Sequence, residues 1–341
     1  MLTKSEAIKK LNELGSSQTP FSFYCDFLGE KWCVEESASA DPSAFQLIIE
    51  DNEKWEEGSW KKEEGRGKMG AGREKLEEVS RDVKFSKHPI SFQEFKESFD
   101  RVVSEINYGN SFLTNLTFQT PIETNLTLKQ IFDFSHAKYR LLVPEKFVVF
   151  SPETFIKIKE DCIYSYPMKG TIDASILHAK DRILSDLKET AEHVTIVDLI
   201  RNDLSLVAEK VEVTRFRYID ELETNDKKLL QVSSEIKGSL NLGWKSSLGT
   251  ILSKLLPAGS ISGAPKPETL RIIQKNESYE RDFYTGICGH FDGLTLDTGV
   301  MIRFIKKEKD QLFYCSGGGI TSFSQAQNEY EEMVDKIYLA I

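Results

Sequence analysis

Residues 146–173 read KFVVFSPETFIKIKEDCIYSYPMKGTID. Three short runs, KFVVFSP, TFIKIKED and CIYSYP, carry alternating apolar and polar or β-branched residues with only turn residues between them, the pattern of successive strands. A parallel crossover takes a dozen or more residues, so strands joined this closely are antiparallel neighbours. Further strands are predicted in SFLTNLTFQT (residues 111–120), YTGICGHF (284–291), TGVMIRFIKK (298–307) and QLFYCSG (311–317). Helices interleave with them. In SFQEFKESFDRVVSEINYGN, Phe92, Phe95, Phe99, Val102, Val103 and Ile106 form one stripe closed by Gly109. A long helix is predicted from about Ala174 through ETAEHVTIVDLIRNDL, and a last one over about residues 324 to 339. Runs of strands with a few long helices predict an α+β domain with large antiparallel sheets, not a doubly wound parallel sheet.

The rest of the chain is consistent with one such domain. Its 341 residues are 40% hydrophobic, enough for a sizeable core. The net charge of −10 is spread through the sequence, which argues against nucleic-acid binding; a locally positive pocket for a small anion remains compatible with it. No run approaches the roughly 20 apolar residues of a membrane span. The N-terminus has no apolar signal-peptide core: Ile8, Leu11 and Leu14 recur at helical spacing, with Gly15 read as a C-cap. The five cysteines lack paired metal-site spacing, as expected of free thiols in a reducing cytoplasm. Strand-like runs FSFYCDFL, KWCVEE and AFQLIIE occupy the first 50 residues. Residues 51–82 are charged, glycine-rich and poor in aliphatics, and read as a solvated, mobile loop.

Four features could carry chemistry. Glu189 and Glu192 are three apart, as are Glu329 and Glu332, so each pair shares a helix face. Both pairs could be solvated, with Glu332 and Lys336 in an i,i+4 ion pair; if the two helices met, four carboxylates would call for a hard cation such as Mg²⁺. PAGSISGAPKPETLRII (257–273) runs a small-residue loop into a helix with Pro265 near its first turn, and SGGGI (316–320) follows a strand. Either could turn backbone N–H groups toward an anion or be only a tight turn. GICGH (286–290) looks like a nucleophile elbow, but no Cys–His constellation accompanies it, so Cys288 is read as a buried strand residue. Lys169 in YPMKGT is either a surface charge beside a turn or a nucleophile made reactive in a pocket; Glu153 of SPETF lies within two strands of it.

Taken in order, SPETF, PMKGT, AEHVTIVDLIRNDL, GSISGAPK, YTGICGHF, IRF, CSGGGI and EYEEMVDK resemble the chorismate-utilising enzymes over roughly residues 88–341. That group includes the anthranilate, isochorismate, salicylate and aminodeoxychorismate synthases. The resemblance implies one α+β domain, residues 1–341, of two packed sheets with helices outside, residues 1–87 being a shortened N-terminal portion. It also implies roles. Glu192 and Glu332 match Mg²⁺ ligands, with Glu189 and Glu329 beside them, and the ion would hold the ring carboxylate of chorismate. Arg303, Tyr284, Lys336 and the N–H groups of Gly317, Gly318 and Gly319 match the cradle of the enolpyruvyl carboxylate. Thr171 and the loop around Gly263 match positions lining the ring.

Lys169 subdivides the family. Anthranilate and isochorismate synthases usually have a small residue before Gly-Thr, whereas the aminodeoxychorismate synthase large subunits have lysine. The latter resemblance implies a transaminase-type amination of chorismate to 4-amino-4-deoxychorismate, for folate synthesis. Lys169 would attack C2 as the C4 hydroxyl leaves, Glu153 would be the general acid, and ammonia would displace the lysine. With no amidotransferase domain in the sequence, ammonia is expected from a separate glutaminase subunit. Leu113 stands where isochorismate and salicylate synthases place a water-activating lysine. The chain departs from relatives at Gln231, where a histidine is common, at Leu113, where a glutamine is usual, and after Lys-Gly-Thr, where an arginine is replaced by Ile172. No Leu-Leu-Glu-Ser motif occurs, so tryptophan feedback is not expected. Anthranilate synthase component I, or a non-catalytic metabolite-binding relative, are the alternatives.

Overall fold

Two antiparallel sheets organise the chain, and residues 146–173 are divided between them. The computed structural model describes residues 1–50, 53–56, 59–62, 83–223 and 228–341. Within these, the first sheet has ten strands, running Leu2–Thr3, Lys31–Glu36, Phe21–Cys25, Ile287–Phe291, Leu296–Val300, Thr154–Lys159, Cys162–Ser165, Lys228–Ser239 and Met168–Asp173. Glu209–Glu223 also pairs with Lys228–Ser239. The second has eight: Gly263–Ala264, Leu113–Thr124, Gln311–Ile320, Phe304–Glu308, Phe147–Ser151, Tyr139–Val143 and Gln46–Ile49, with Phe85–Lys87 on Leu113–Thr124. The expected α+β class of two antiparallel sheets with helices is what the chain adopts.

Alternation along the strands explains the layering. Phe21, Phe23, Trp32 and Phe291 are fully buried, and the helix Lys4–Ser16 covers them with Ala7, Leu11 and Leu14. The helix Phe92–Asn107 starts at a capping box between Ser91 and Glu94. It lays Phe95, Phe99, Val102 and Ile106 against Leu116, Phe118, Ile320 and Met333. At about 1.5–3 kcal/mol for each large apolar side chain buried, this stripe holds the helix on the sheet. The N-terminal portion is woven into both sheets: Phe21–Cys25 pairs with Ile287–Phe291, and Gln46–Ile49 with Tyr139–Val143.

Several local expectations need correcting. Gly15 is not a C-cap; the cap is Ser17, and Gly15 lies inside the helix where a Cβ would meet the Lys245 carbonyl oxygen at 2.0 Å. The helix expected from Ala174 begins at Ala179 and breaks into Ala179–Ser185 and Leu187–Ser205. Asp186 causes the break, leaving the α region and accepting from the Glu189 N–H at 3.0 Å as an N-cap. The last helix is shorter, Ala326–Asp335. The expected loop at 51–82 contains a hairpin, Glu53–Glu56 with Ser59–Lys62, with Trp55 and Trp60 paired in backbone register; the remainder lies outside the described residues. Lys169 sits not at the end of the Cys162 strand but in a strand of its own, Met168–Asp173, paired with Lys228–Ser239. TGVMIRFIKK is not one strand: Leu296–Val300 belongs to the first sheet and Phe304–Glu308 to the second.

That last break positions the chemistry. The chain passes between sheets at residues 151–153 and again at 301–303, and the two crossings are hydrogen-bonded to each other. The Val300 N–H donates to the Glu153 carbonyl at 3.0 Å, and the Phe150 N–H to the Arg303 carbonyl at 3.2 Å. Arg303 takes φ 51, the conformation that turns the chain from one sheet into the other.

Candidate active site

A cavity of about 290 Å³ opens where the sheets face each other, and both crossings line it. From the first sheet come Lys169, Thr171 and Gln231; from the second, Leu113, Asn115, Gly317, Gly318 and Gly319. Glu332 and Lys336 enter from the last helix, and Tyr284 precedes the strand Ile287–Phe291.

Glu153 occupies the first crossing. Its surroundings strip water from the carboxyl and raise its pKa; a hydrogen bond from Ser260 Oγ at 3.0 Å and the charges of Arg303, Lys169 and Lys336 pull the other way without cancelling the effect. A carboxyl shifted in this direction can carry a proton to be given away. Lys169 Nζ lies 3.1 Å from Glu192 Oε2. Burial works against its charge, but Glu192, then Glu332 and Glu189, outweigh burial and raise the lysine's pKa.

The glycines let the second sheet come close. A Cβ on Gly319 would stand 3.0 Å from Leu113 Cδ1 and 3.7 Å from Lys169 Nζ; on Gly318 it would stand 3.5 Å from Glu329 Oε2 and 3.7 Å from Lys336 Nζ. Lys336 donates to the Gly317 carbonyl at 2.8 Å and pairs with Glu332 at 2.7 Å, the helical ion pair that the spacing allowed. Glu189 Oε2 comes within 3.1 Å of a Cβ built on Gly170, the residue after Lys169. Arg303 Nε donates to Tyr338 Oη at 3.2 Å, with the guanidinium 5.3 Å from the ring centre. Tyr284 is buried, and burial keeps its phenol neutral.

Gly263 does not line the cavity, nor do Glu189, Glu192 and Glu329, which stand behind Lys169, Gly170 and Gly318. A φ of +129 and a Cβ position 1.9 Å from the Leu113 carbonyl oxygen fix Gly263 against the second sheet, while Gly259, Ser260 and Ile261 of the same loop line the cavity.

The family described as chorismate binding enzyme matches residues 16–341. The chain belongs to that family. It is 44% identical over 341 residues to an "Uncharacterized PabA-like protein" of Haemophilus influenzae, covering 99% of this chain and 98% of that one. It is 28% identical over 265 residues to "Aminodeoxychorismate synthase component 1" of Bacillus subtilis, covering 73% of this chain and 55% of that one. The crystal structure of anthranilate synthase component I from Streptococcus pneumoniae superposes with a TM-score of 0.63 at 25% identity, covering 77% of this chain and 63% of that chain. The chain is therefore a chorismate-utilising enzyme of the anthranilate and aminodeoxychorismate synthase group.

Membership sharpens the question of a metal. Glu192, Glu189, Glu329 and Glu332 offer only hard carboxylate oxygens, which suit Mg²⁺. Glu192 and Glu329 are buried, and Glu192 and Glu332 hold the ammonium groups of Lys169 and Lys336. The donor chemistry fits the ion, but among the described residues no three such side chains converge closely enough to grip one.

The sequence reading passed over three contributors. Ser260 sits in a glycine loop whose backbone drew the attention, yet its hydroxyl reaches Glu153. Asn115 lines the cavity with a buried Oδ1 that has no hydrogen-bond partner among the described residues. His193, beside Glu192, is buried with Nε2 2.7 Å from Ser234 Oγ. A polar residue within an apolar period was the available signal for His193; Ser260 and Asn115 left none.

Proposed function

We propose that the chain is an aminodeoxychorismate synthase large subunit, converting chorismate and ammonia to 4-amino-4-deoxychorismate. The observation that carries this reading is the placement of Lys169 and Glu153 in one cavity between the sheets, with Leu113 rather than a water-activating group opposite the lysine. A base at Leu113 would favour water as nucleophile; an isobutyl group leaves that to the lysine.

Glu153 gives its proton to the C4 hydroxyl, which departs as water while the Lys169 amine forms a bond to C2 and the ring double bonds shift. Ammonia then bonds to C4, the double bonds return, and the C2–N bond breaks to release Lys169. Splitting the substitution this way replaces one difficult displacement by two easier ones. The attacking form is the neutral amine, so the Lys169 ammonium first gives a proton to Glu192, whose Oε2 lies 3.1 Å away, and recovers it when the C2–N bond breaks. Arg303, Tyr284, Lys336 and the N–H groups of Gly317, Gly318 and Gly319 receive the enolpyruvyl carboxylate; Thr171 and Gln231 border the ring. Mg²⁺, held by Glu192 and Glu332 with Glu189 and Glu329 beside them, would supply positive charge against the ring carboxylate. Ammonia would come from a separate glutaminase subunit, and the product would feed folate synthesis in the cytoplasm.

The test is product analysis after incubating the protein with chorismate, Mg²⁺ and an ammonium salt. Formation of 4-amino-4-deoxychorismate supports the reading; release of pyruvate with fluorescent anthranilate would sink it. Absence of turnover with ammonium or with a glutaminase partner would favour a binding protein.

A further inference from the structure

Two ion pairs, one buried and one half-buried, grip the loop that presents Ser260. Glu277 and Arg281 are each only 2% exposed, 2.6 Å apart. Arg281 makes five hydrogen bonds: Nε and Nη2 go to the two Glu277 oxygens at 2.9 and 2.6 Å, Nη1 to the Ile261 carbonyl at 2.8 Å and Thr285 Oγ1 at 3.4 Å, and Nη2 also to the Asn115 carbonyl at 2.7 Å. Ile261, Thr285 and Asn115 all line the cavity. At the other end of the loop, Lys266 Nζ binds Asp203 Oδ1 at 2.8 Å and the Leu255 carbonyl at 3.0 Å, while Asp203 accepts from the Gly259 N–H. Ser260 lies between these anchors.

A buried ion pair is weak grounds for stability, because its desolvation cost offsets much of the attraction. What distinguishes this one is where the remaining donors go. Only a planar guanidinium has five N–H groups in a fixed fork; a lysine has three donors on one nitrogen and cannot span the same acceptors. The fork joins the loop, the second sheet and the turn after Tyr284 around a single rigid group.

We propose that Arg281, fixed by Glu277, is a positioning residue for the reaction: it sets the Ile261 end of the loop so that the Ser260 hydroxyl meets Glu153, with the Asp203–Lys266 pair fixing the opposite end. This deepens the aminodeoxychorismate synthase reading and rests on it for the catalytic consequence, whereas the clamp itself is testable without substrate.

The experiment compares Arg281→Lys, Lys266→Met and wild type in two measurements. Hydrogen exchange without substrate should show residues 255–264 exchanging at least about tenfold faster in each variant, with remote strands unchanged. Turnover of chorismate with an ammonium salt should lose kcat on the order of 10²-fold with KM nearly unchanged, because slight misplacement of a catalytic group costs rate more than binding. Adding Ser260→Ala to Arg281→Lys should cost less than the product of the single effects, since both act through one contact. Wild-type loop exchange and kcat in Arg281→Lys overturn the proposal, as does uniformly faster exchange across both sheets with KM and kcat changing together. Should Arg281→Lys fail to fold, Lys266→Met decides by the same two measurements. If wild type does not turn over chorismate, the functional reading fails separately and the exchange data alone decide the clamp.

Discussion

Lys169 Nζ and Glu192 Oε2 stand 3.1 Å apart at the wall of the cavity, one on a strand of the first sheet and the other on the helix Leu187–Ser205. The pair joins the residue proposed as nucleophile to one proposed for metal binding, so the two functions compete for one carboxylate. Lys169→Ala should lower turnover on the order of 10³-fold or more, as removal of covalent nucleophiles does elsewhere, while chorismate binding measured by calorimetry stays near wild type. Unchanged turnover would remove the covalent role. The same substitution leaves a buried carboxylate without its ammonium, so the metal-free variant should melt below wild type. Mg²⁺ should raise its Tm by more than it raises that of wild type, because a cation then replaces the lost charge. Equal shifts would place the ion away from Glu192.

The three glycines facing Lys169 and Lys336 are not equivalent. A methyl group on Gly317 would lie 2.2 Å from the Leu116 carbonyl oxygen, a clash with backbone that cannot move aside. One on Gly318 meets nothing nearer than Glu329 Oε2 at 3.5 Å, ordinary contact, but it projects between that carboxylate and Lys336. Gly317→Ala should therefore destabilise by about 1–3 kcal/mol in denaturant unfolding. Gly318→Ala should fold as wild type and raise KM for chorismate several-fold. If Gly318→Ala binds substrate normally, the carboxylate cradle lies elsewhere.

Short turns excluded parallel crossovers, and Thr154–Lys159 does pair antiparallel with Cys162–Ser165. The same reasoning made Phe147–Ser151 a neighbour of Thr154–Lys159, which is wrong: the chain changes sheets at Pro152 and Glu153, and Phe147–Ser151 pairs with Tyr139–Val143 and Phe304–Glu308 in the second sheet. The pairing of the Met168 strand with a segment 60 residues later was not legible, since register at long range depends on packing rather than on local pattern. Likewise TGVMIRFIKK has no breaker that would mark a crossing. Arg303 adopts its left-handed backbone because two sheets meet there, and propensity does not record that. Of the site, Glu153, Lys169 and the paired glutamates stood out by motif. Ser260 and Arg281 did not, because a serine in a glycine loop and an arginine among charged residues look like surface until the fold buries them.

His193 ties the proposed metal-bearing helix to the strand of Ser234, and its environment predicts a pH dependence of stability. Burial, with the charges of Arg217 and Lys169, lowers its pKa to about 4 from the usual 6.5. The unfolded chain therefore binds the extra proton more readily between those values, and stability must rise with pH across the window. The contribution is present above about pH 6.5 and is lost as pH falls toward 4, with a ceiling on the order of 3 kcal/mol. Urea unfolding of wild type and His193→Gln at pH 7 and pH 4.5 separates this from carboxylate effects. The difference between the two proteins should shrink at the lower pH. A constant difference would mean that the imidazole is not held neutral.

The helix Lys4–Ser16 gives a sharper test of local rules against packing. Gly15 lies inside it, where alanine would ordinarily stabilise by about 0.5–1 kcal/mol. Here a Cβ would meet the Lys245 carbonyl oxygen at 2.0 Å and Leu248 Cδ1 at 2.8 Å, so the gain in propensity cannot be realised without moving the helix. The contact is mirrored from the other side, since a Cβ on Gly249 would meet the Ile8 carbonyl oxygen at 2.5 Å. Two glycines thus let the Lys4–Ser16 helix and the Leu248–Leu255 helix approach closely over the first sheet. Gly15→Ala and Gly249→Ala should each lower stability by about 1–3 kcal/mol, the usual cost of overpacking, instead of raising it. Because both substitutions relieve themselves by the same outward shift of the N-terminal helix, the double variant should lose less than the sum. A higher Tm for Gly15→Ala would show that this helix is free to move, and that its propensity rather than its contact with Lys245 governs the N-terminal packing.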